Sequence, residues 1–104
     1  MRVVEIALFT EDPDRLIAFY EDVLEAAPES RWSGGAIFAV GDVKLLIHIA
    51  GPTRAEGPPN RDHFAFSVGD VDEAAARLGV EARDYDWGRS AYLRDPDGRV
   101  VELT

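Results

Sequence analysis

One secondary-structure pattern is written twice along this 104-residue chain, and that repetition restricts its folds more than any other feature. In Val3–Phe9, VVEIALF, Ile6 and Leu8 fall on one face of a strand while Glu5, Ala7 and Phe9 fall on the other. Asp12 then supplies an N-cap and Pro13 a first helical residue. Leu16, Ile17, Tyr20, Val23 and Leu24 follow at helical spacing, which predicts a helix over Pro13–Leu24 with Pro28 beyond its end. Strands are expected at Glu29–Trp32, Ala36–Val40 and Val43–Ala50, parted by Ser33-Gly34-Gly35 and Gly41-Asp42. The same β-α-β-β-β order begins again after Asp62. It has a strand from His63 to Val68, an Asp70 cap with Glu73 three residues on, and an Ala-rich helix over Ala74–Leu78 stopped at Gly79. Strands at Val80–Tyr85, Ser90–Arg94 and Val100–Thr104 complete it, the last preceded by the turn Asp95-Pro96-Asp97-Gly98. Between the halves, GPTRAEGPPNR (Gly51–Arg61) has the composition of a linker.

The expected class is therefore α+β, one domain made of two βαβββ modules: residues 1–50 and 62–104. A module of that size has exposed sheet edges and too little core of its own, so it needs a partner module. Laying Glu5 on His63 aligns EIALFTED with HFAFSVGD, and laying His48 on Glu102 aligns LLIHIA with VVELT. Each half thus offers two residues able to ligate a metal, one near the start of its first strand and one in its last strand. Glu5, His48, His63 and Glu102 all have apolar neighbours in sequence, and His48 and His63 are the only histidines. A carboxylate on the inner face of a sheet is costly unless it is paired or bound to a cation. Two imidazoles and two carboxylates form an N2O2 set suited to a divalent Zn, Ni, Co, Mn or Fe ion, with open positions left for substrate.

Composition excludes other classes. The net charge of −9 repels phosphate backbones and anionic lipid, so neither nucleic acid nor membrane is an expected partner. No apolar run approaches the ~20 residues of a membrane span, and the first residues do not read as a signal peptide, so a cytoplasmic location is the default expectation. Without cysteine, no thiolate ligand or nucleophile is available.

The segments IALFTEDPDRLIAFYEDVL, HFAFSVGDVDEA and AYLRDPDGRVVEL resemble the glyoxalase/bleomycin-resistance/dioxygenase superfamily, also called vicinal oxygen chelate proteins. The first looks like the opening strand and a helix ending in F-Y-x-x-V-L, and the last like a closing D-P-D-G hairpin followed by an acidic ligand. The resemblance implies a glyoxalase-like cupped mixed sheet around one metal, with Glu5, His48, His63 and Glu102 at its four ligand positions. Similar bacterial glyoxalases carry His first and Glu second, the reverse of Glu5 and His48. Their glutathione-holding Arg and Asn are replaced here by Phe9 and Pro52, which argues against a glutathione hemithioacetal substrate.

The resemblance implies a metal-dependent lyase, isomerase or epimerase of a small oxygenated metabolite. Such an enzyme works through a metal-stabilised enolate or alkoxide, with Glu5 or Glu102 as the base. Two alternatives stand beside it. One is a transferase resembling fosfomycin-resistance proteins, whose triad is His-His-Glu with His first; the other is a bleomycin-resistance-like protein that sequesters a cationic drug. Lys44 is a candidate for meeting a substrate anion, and Phe9, Trp32, Phe38, Tyr85, Trp87 and Tyr92 are candidates to line a pocket. A homodimer is expected, with modules exchanged between chains because Pro52, Pro58 and Pro59 stiffen the linker. Glu5 and His48 would then face His63 and Glu102 of a second subunit.

Overall fold

The computed structural model describes residues 1–50, 61–94 and 100–104. The first ten linker residues, Pro52, Pro58 and Pro59 among them, and the Asp95–Gly98 turn lie outside the described residues. The elements are β1 (Arg2–Thr10), α1 (Pro13–Leu24), β2 (Ser30–Trp32), β3 (Gly35–Val40), β4 (Val43–Ile49), β5 (His63–Ser67), α2 (Val71–Leu78), β6 (Ala82–Tyr85), β7 (Gly88–Arg94) and β8 (Val100–Leu103). The doubled β-α-β-β-β order holds, with every element end within three residues of expectation. The larger shift is at α2, where Asp70 caps the chain directly: its Oδ1 accepts from the Glu73 amide at 3.0 Å, so the helix starts at Val71. Asp12 caps α1 in the same way, accepting from the Arg15 amide at 3.2 Å.

The eight strands of the described residues form one sheet in the order β2-β3-β4-β1-β5-β8-β7-β6. Each module contributes four adjacent strands, and the modules join where β1 runs antiparallel to β5. Within each module the first strand pairs in parallel with the last, β1 with β4 and β5 with β8. Here β1 and β5 of a single chain pair directly, so the two modules meet within the chain.

Side-chain alternation assigns the two faces. Ile6 and Leu8 pack with Ile17, Ala36, Phe38, Leu45 and Ile47 in a core beneath α1. Ala75, Ala91 and Leu103 form a second core beneath α2, with Phe66 and Val101 against it. Ile6 lies opposite Phe64 across the β1–β5 seam, so both helices cover the same side of the sheet. The opposite face is left for Glu5, Ala7, Phe9, His63 and Glu102. Phe38 is 1% exposed within the first core, which removes it from the expected pocket. Burying a side chain of its size contributes about 1.5–3 kcal/mol, so packing accounts for its presence.

Helix α1 ends on Glu25, which adopts left-handed angles (φ 50, ψ 41) where glycine is the usual choice. Gly79 fills the equivalent place after α2 at φ 72. Glu25 is exposed, so its side chain supplies little to offset the strain. Glu25→Gly is expected to stabilise the protein by about 0.5–1 kcal/mol. In thermal unfolding the midpoint should rise by roughly 2–8 °C; an unchanged or lower midpoint would contradict the assignment of strain.

Candidate metal centre

The ladders set which residues meet on the open face. Glu5 lies opposite Ala65, Ala65 lies opposite Glu102, and His63 lies opposite Ala7. Neighbours directly across a ladder point the same way, so Glu5, His63 and Glu102 converge from three adjacent strands. One ligand atom from each lies within 4.8 Å of the others.

His48 does not join them. The parallel ladder pairs Glu5 with Lys44, Ala7 with Leu46 and Phe9 with His48. In the second module His63 pairs with Val100 and Ala65 with Glu102. With Glu5 laid on His63 and Ala7 on Ala65, the residue equivalent to Glu102 is Leu46. His48 sits two residues further along β4, on the same face but roughly 7 Å beyond that place. The Phe9 ring stands between the histidines, 5.4 Å from His48 and 6.0 Å from His63, centre to centre. Of the four expected residues the structure brings three together, and the apolar Leu46 stands at the place in the first module equivalent to Glu102.

The three residues differ in their support. Glu102 is 5% exposed. It accepts from Ser90 Oγ at 2.9 Å through Oε1, faces His63 Nε2 at 3.1 Å through Oε2, and also bonds the Tyr92 hydroxyl. Burial works to raise its pKa, but the bonds from His63, Ser90 and Tyr92 prevail and hold it below the ordinary carboxylate value. Tyr92, buried and beside the Glu102 charge, is pushed well above the ordinary phenol range. The Glu5 side chain has no hydrogen bond among the described residues. Burial, then the Glu102 charge, raises its pKa, and His63 offsets this only in part.

His63 shows most clearly how the three residues fit a cation. Its Nδ1–H donates to the Arg61 carbonyl at 2.8 Å, so in the neutral ring Nε2 bears a lone pair. That lone pair faces a carboxylate oxygen at 3.1 Å, an arrangement that needs a positive centre between the two atoms. A proton can serve. Burial opposes it, but the Glu102 bond, the Arg61 carbonyl and the two carboxylate charges raise the His63 pKa. A divalent ion fits equally well: donors about 2.1 Å from an ion, at adjacent coordination positions, stand roughly 3.0–3.4 Å apart. The carbonyl bond to Nδ1 is also the outer contact that orients ligating histidines.

Other expected roles fall differently. Lys44 is tied to Glu29 by a 2.7 Å ion pair, the ordinary fate of a strand-end lysine. Phe9 and Tyr92 flank His63 and, with Arg61, Arg94 and Val100, line a cavity of about 390 Å³ beside it. Tyr85 stacks on Trp87 at 4.7 Å and meets Tyr92 edge-on, while Trp32 lies near His48. Sequence reasoning missed Ser90 and the bond of Tyr92 to Glu102. Both alternate onto the face of Glu102 in the segment SAYLR, a signal usable only once β7 is known to pair with β8.

The family model described as Glyoxalase/Bleomycin resistance protein/Dioxygenase superfamily matches residues 2–103. The chain belongs to this superfamily. Among its relatives is the "Glutathione transferase FosA" of Serratia marcescens, 27% identical over 107 residues, covering 94% of this chain and 76% of the relative. The "Metallothiol transferase FosB" of Shouchella clausii is 28% identical over 102 residues, covering 86% and 70%. A superfamily member from Vibrio splendidus superposes with a TM-score of 0.70 at 18% identity, over 98% of this chain and 95% of that one, a likeness of fold. The cupped glyoxalase-like architecture expected of the sequence is thereby established.

Two outcomes follow from the geometry. A folded-state pKa raised in an acid means that its charge destabilises the fold above that pKa, and that the penalty vanishes once the group is protonated in both states. Glu5→Gln should therefore raise the metal-free unfolding midpoint near neutral pH by roughly 2–4 °C, the effect of about half a kcal/mol. The gain should disappear below about pH 4, and a lower midpoint at neutral pH would overturn this account of Glu5. Leu46→Glu should supply the missing fourth donor and tighten Mn2+ or Zn2+ binding about tenfold; calorimetric titration showing no gain would contradict the module equivalence.

Proposed function

We propose that the protein is a divalent-metal-dependent enzyme acting on a small oxygenated molecule, with Glu5, His63 and Glu102 as the metal-holding residues. The observation that carries this reading is the His63 lone pair turned on the Glu102 carboxylate with Glu5 beside them. When bound, the ion supplies positive charge next to a substrate oxygen, where negative charge develops as a neighbouring bond is rearranged.

The chain's own residues divide the remaining work. Glu102, held by Ser90 and Tyr92 and lowered in basicity, suits a fixed anchor that leaves Oε2 turned toward the ion's place beside His63. Glu5, its side chain without hydrogen bonds among the described residues and its pKa raised, suits moving a proton to and from a carbon beside the substrate oxygen. This ranks Glu5 above Glu102 as the base in a lyase, isomerase or epimerase reaction. The cavity at His63 gives the substrate its place.

One observation favours a second reading, a metal-dependent transferase joining a thiol to a small molecule. The site is a triad rather than four ligands, as in the fosfomycin-resistance proteins the sequence resembles, although Glu5 replaces their first histidine. The names of the two curated relatives point the same way.

Two measurements test these readings. Metal titration should show that His63→Ala and Glu102→Ala each lose about tenfold or more in affinity, while His48→Ala leaves it unchanged; equal losses at His48 would restore the four-ligand set. The Mn2+-loaded protein, incubated in D2O with a panel of 2-oxo and 3-oxo acids, should incorporate deuterium beside the carbonyl. Glu5→Gln, at metal concentrations that saturate the variant, should lose about a hundredfold or more of that rate. No incorporation with any member, together with consumption of glutathione or cysteine in the presence of fosfomycin, would favour the transferase.

A further inference from the structure

The cavity beside His63 differs in charge from the chain as a whole. The chain carries 20 acidic residues against 11 basic ones, yet the described residues of this wall include Arg61 and Arg94 and no carboxylate. Arg61 approaches from two residues before β5, and Arg94 from the end of β7. No ion pair of Arg61 is present among the described residues. Two guanidinium groups at one cavity present planar donor forks that match an oxyanion, and such charge-assisted bonds are stronger than neutral ones.

The rest of the wall is His63 with Phe9, Tyr92, Leu93 and Val100, and is largely apolar. The rings of Phe9 and Tyr92 stand on either side of His63, 6.0 and 5.9 Å away, centre to centre. Tyr92 is held edge-on by Tyr85, which is itself stacked on Trp87 with an interplanar angle of 7°. These contacts fix the ring in place, so it offers a preformed face rather than one ordered on binding. A volume of about 390 Å³ suits a molecule of one or two fused rings rather than a long chain.

We infer that this cavity binds an oxyanion carried on a flat apolar body, the charge meeting Arg61 and Arg94 and the flat body lying against the wall of Phe9, His63 and Tyr92. The inference rests on the proposed function in one respect: His63, shared by the cavity wall and the candidate metal centre, places the bound molecule beside the reacting atoms. Carboxylate and phosphate share the recognition chemistry, and the choice between them is left to the probes.

Calorimetry on the full chain, metal-free and Mn2+-loaded, with 2-naphthoate, 2-naphthyl phosphate, 2-naphthamide and acetate is the test. One of the two charged naphthyl probes should bind about tenfold or more tighter than both 2-naphthamide and acetate. The tighter of the two identifies the headgroup. Arg61→Gln or Arg94→Gln should shrink that preference while leaving 2-naphthamide binding unchanged. Equal binding of 2-naphthamide, equal binding of acetate, no binding of any probe, or a preference untouched by both arginine variants would each overturn the inference. The metal reading stands apart in the same samples. Protein that takes up Mn2+ but ignores all four probes refutes the cavity alone, and protein that binds a charged probe but no metal refutes the metal site alone.

Discussion

The antiparallel pairing of β1 with β5 is the contact on which the rest of the molecule depends. Each module buries a small core under its own helix, and neither core reaches across to the other. The seam is instead a backbone ladder in which Ile6 meets Phe64 on the helix side, while Ala7 meets His63 and Glu5 meets Ala65 on the open side. Small side chains at Ala7 and Ala65, 0% and 2% exposed, leave room for the longer ones around them. The ladder therefore does two jobs through one register: it makes a single eight-stranded sheet, and it gathers Glu5, His63 and Glu102 onto one patch. A slip of one residue in β5 would turn His63 to the helix side and dissolve the site.

The patch itself is a compromise between folding and chemistry. Two carboxylates and an imidazole held close together and largely out of water oppose folding unless each is compensated. Glu102 is compensated fully, by Ser90, Tyr92 and His63, and His63 is oriented by a backbone carbonyl. Glu5 is not: burial and the Glu102 charge both disfavour its ionised form. An uncompensated acid at the edge of a well-supported pair is the expected signature of a group kept for function rather than stability. A divalent ion bound at this place would relieve the repulsion between Glu5 and Glu102, so binding of the ion and stability of the fold are linked.

Much of this was legible in the sequence, for physical reasons that also mark where legibility ends. The doubled β-α-β-β-β order follows from alternation in VVEIALF and HFAFSV, from the Asp12 and Asp70 caps and from the glycine turns, all of them local signals. Glu5, His63 and Glu102 were readable because polar residues interrupt apolar strands on the inward parity. His48 shares that parity, and this explains its misplacement. A two-residue displacement along a strand keeps a side chain on the same face while moving it roughly 7 Å, so alternation alone cannot distinguish Leu46 from His48. Only the β1–β4 and β5–β8 registers do so. Pairing of modules within one chain rather than between two was equally beyond reach, because the linker is long enough for either. Ser90 and the Tyr92–Glu102 bond depend on β7 lying beside β8, a non-local fact.

The number of imidazole nitrogens on the bound ion tests the central claim most directly. Electron spin echo modulation of the Mn2+-loaded protein, with histidine labelled with 15N, counts them without reference to any substrate. The register of the two modules predicts coupling to one imidazole, abolished in His63→Ala and unaltered in His48→Ala. Coupling to two imidazoles would return His48 to the site and refute the module equivalence, and coupling to none would place the ion elsewhere and contradict the account as a whole.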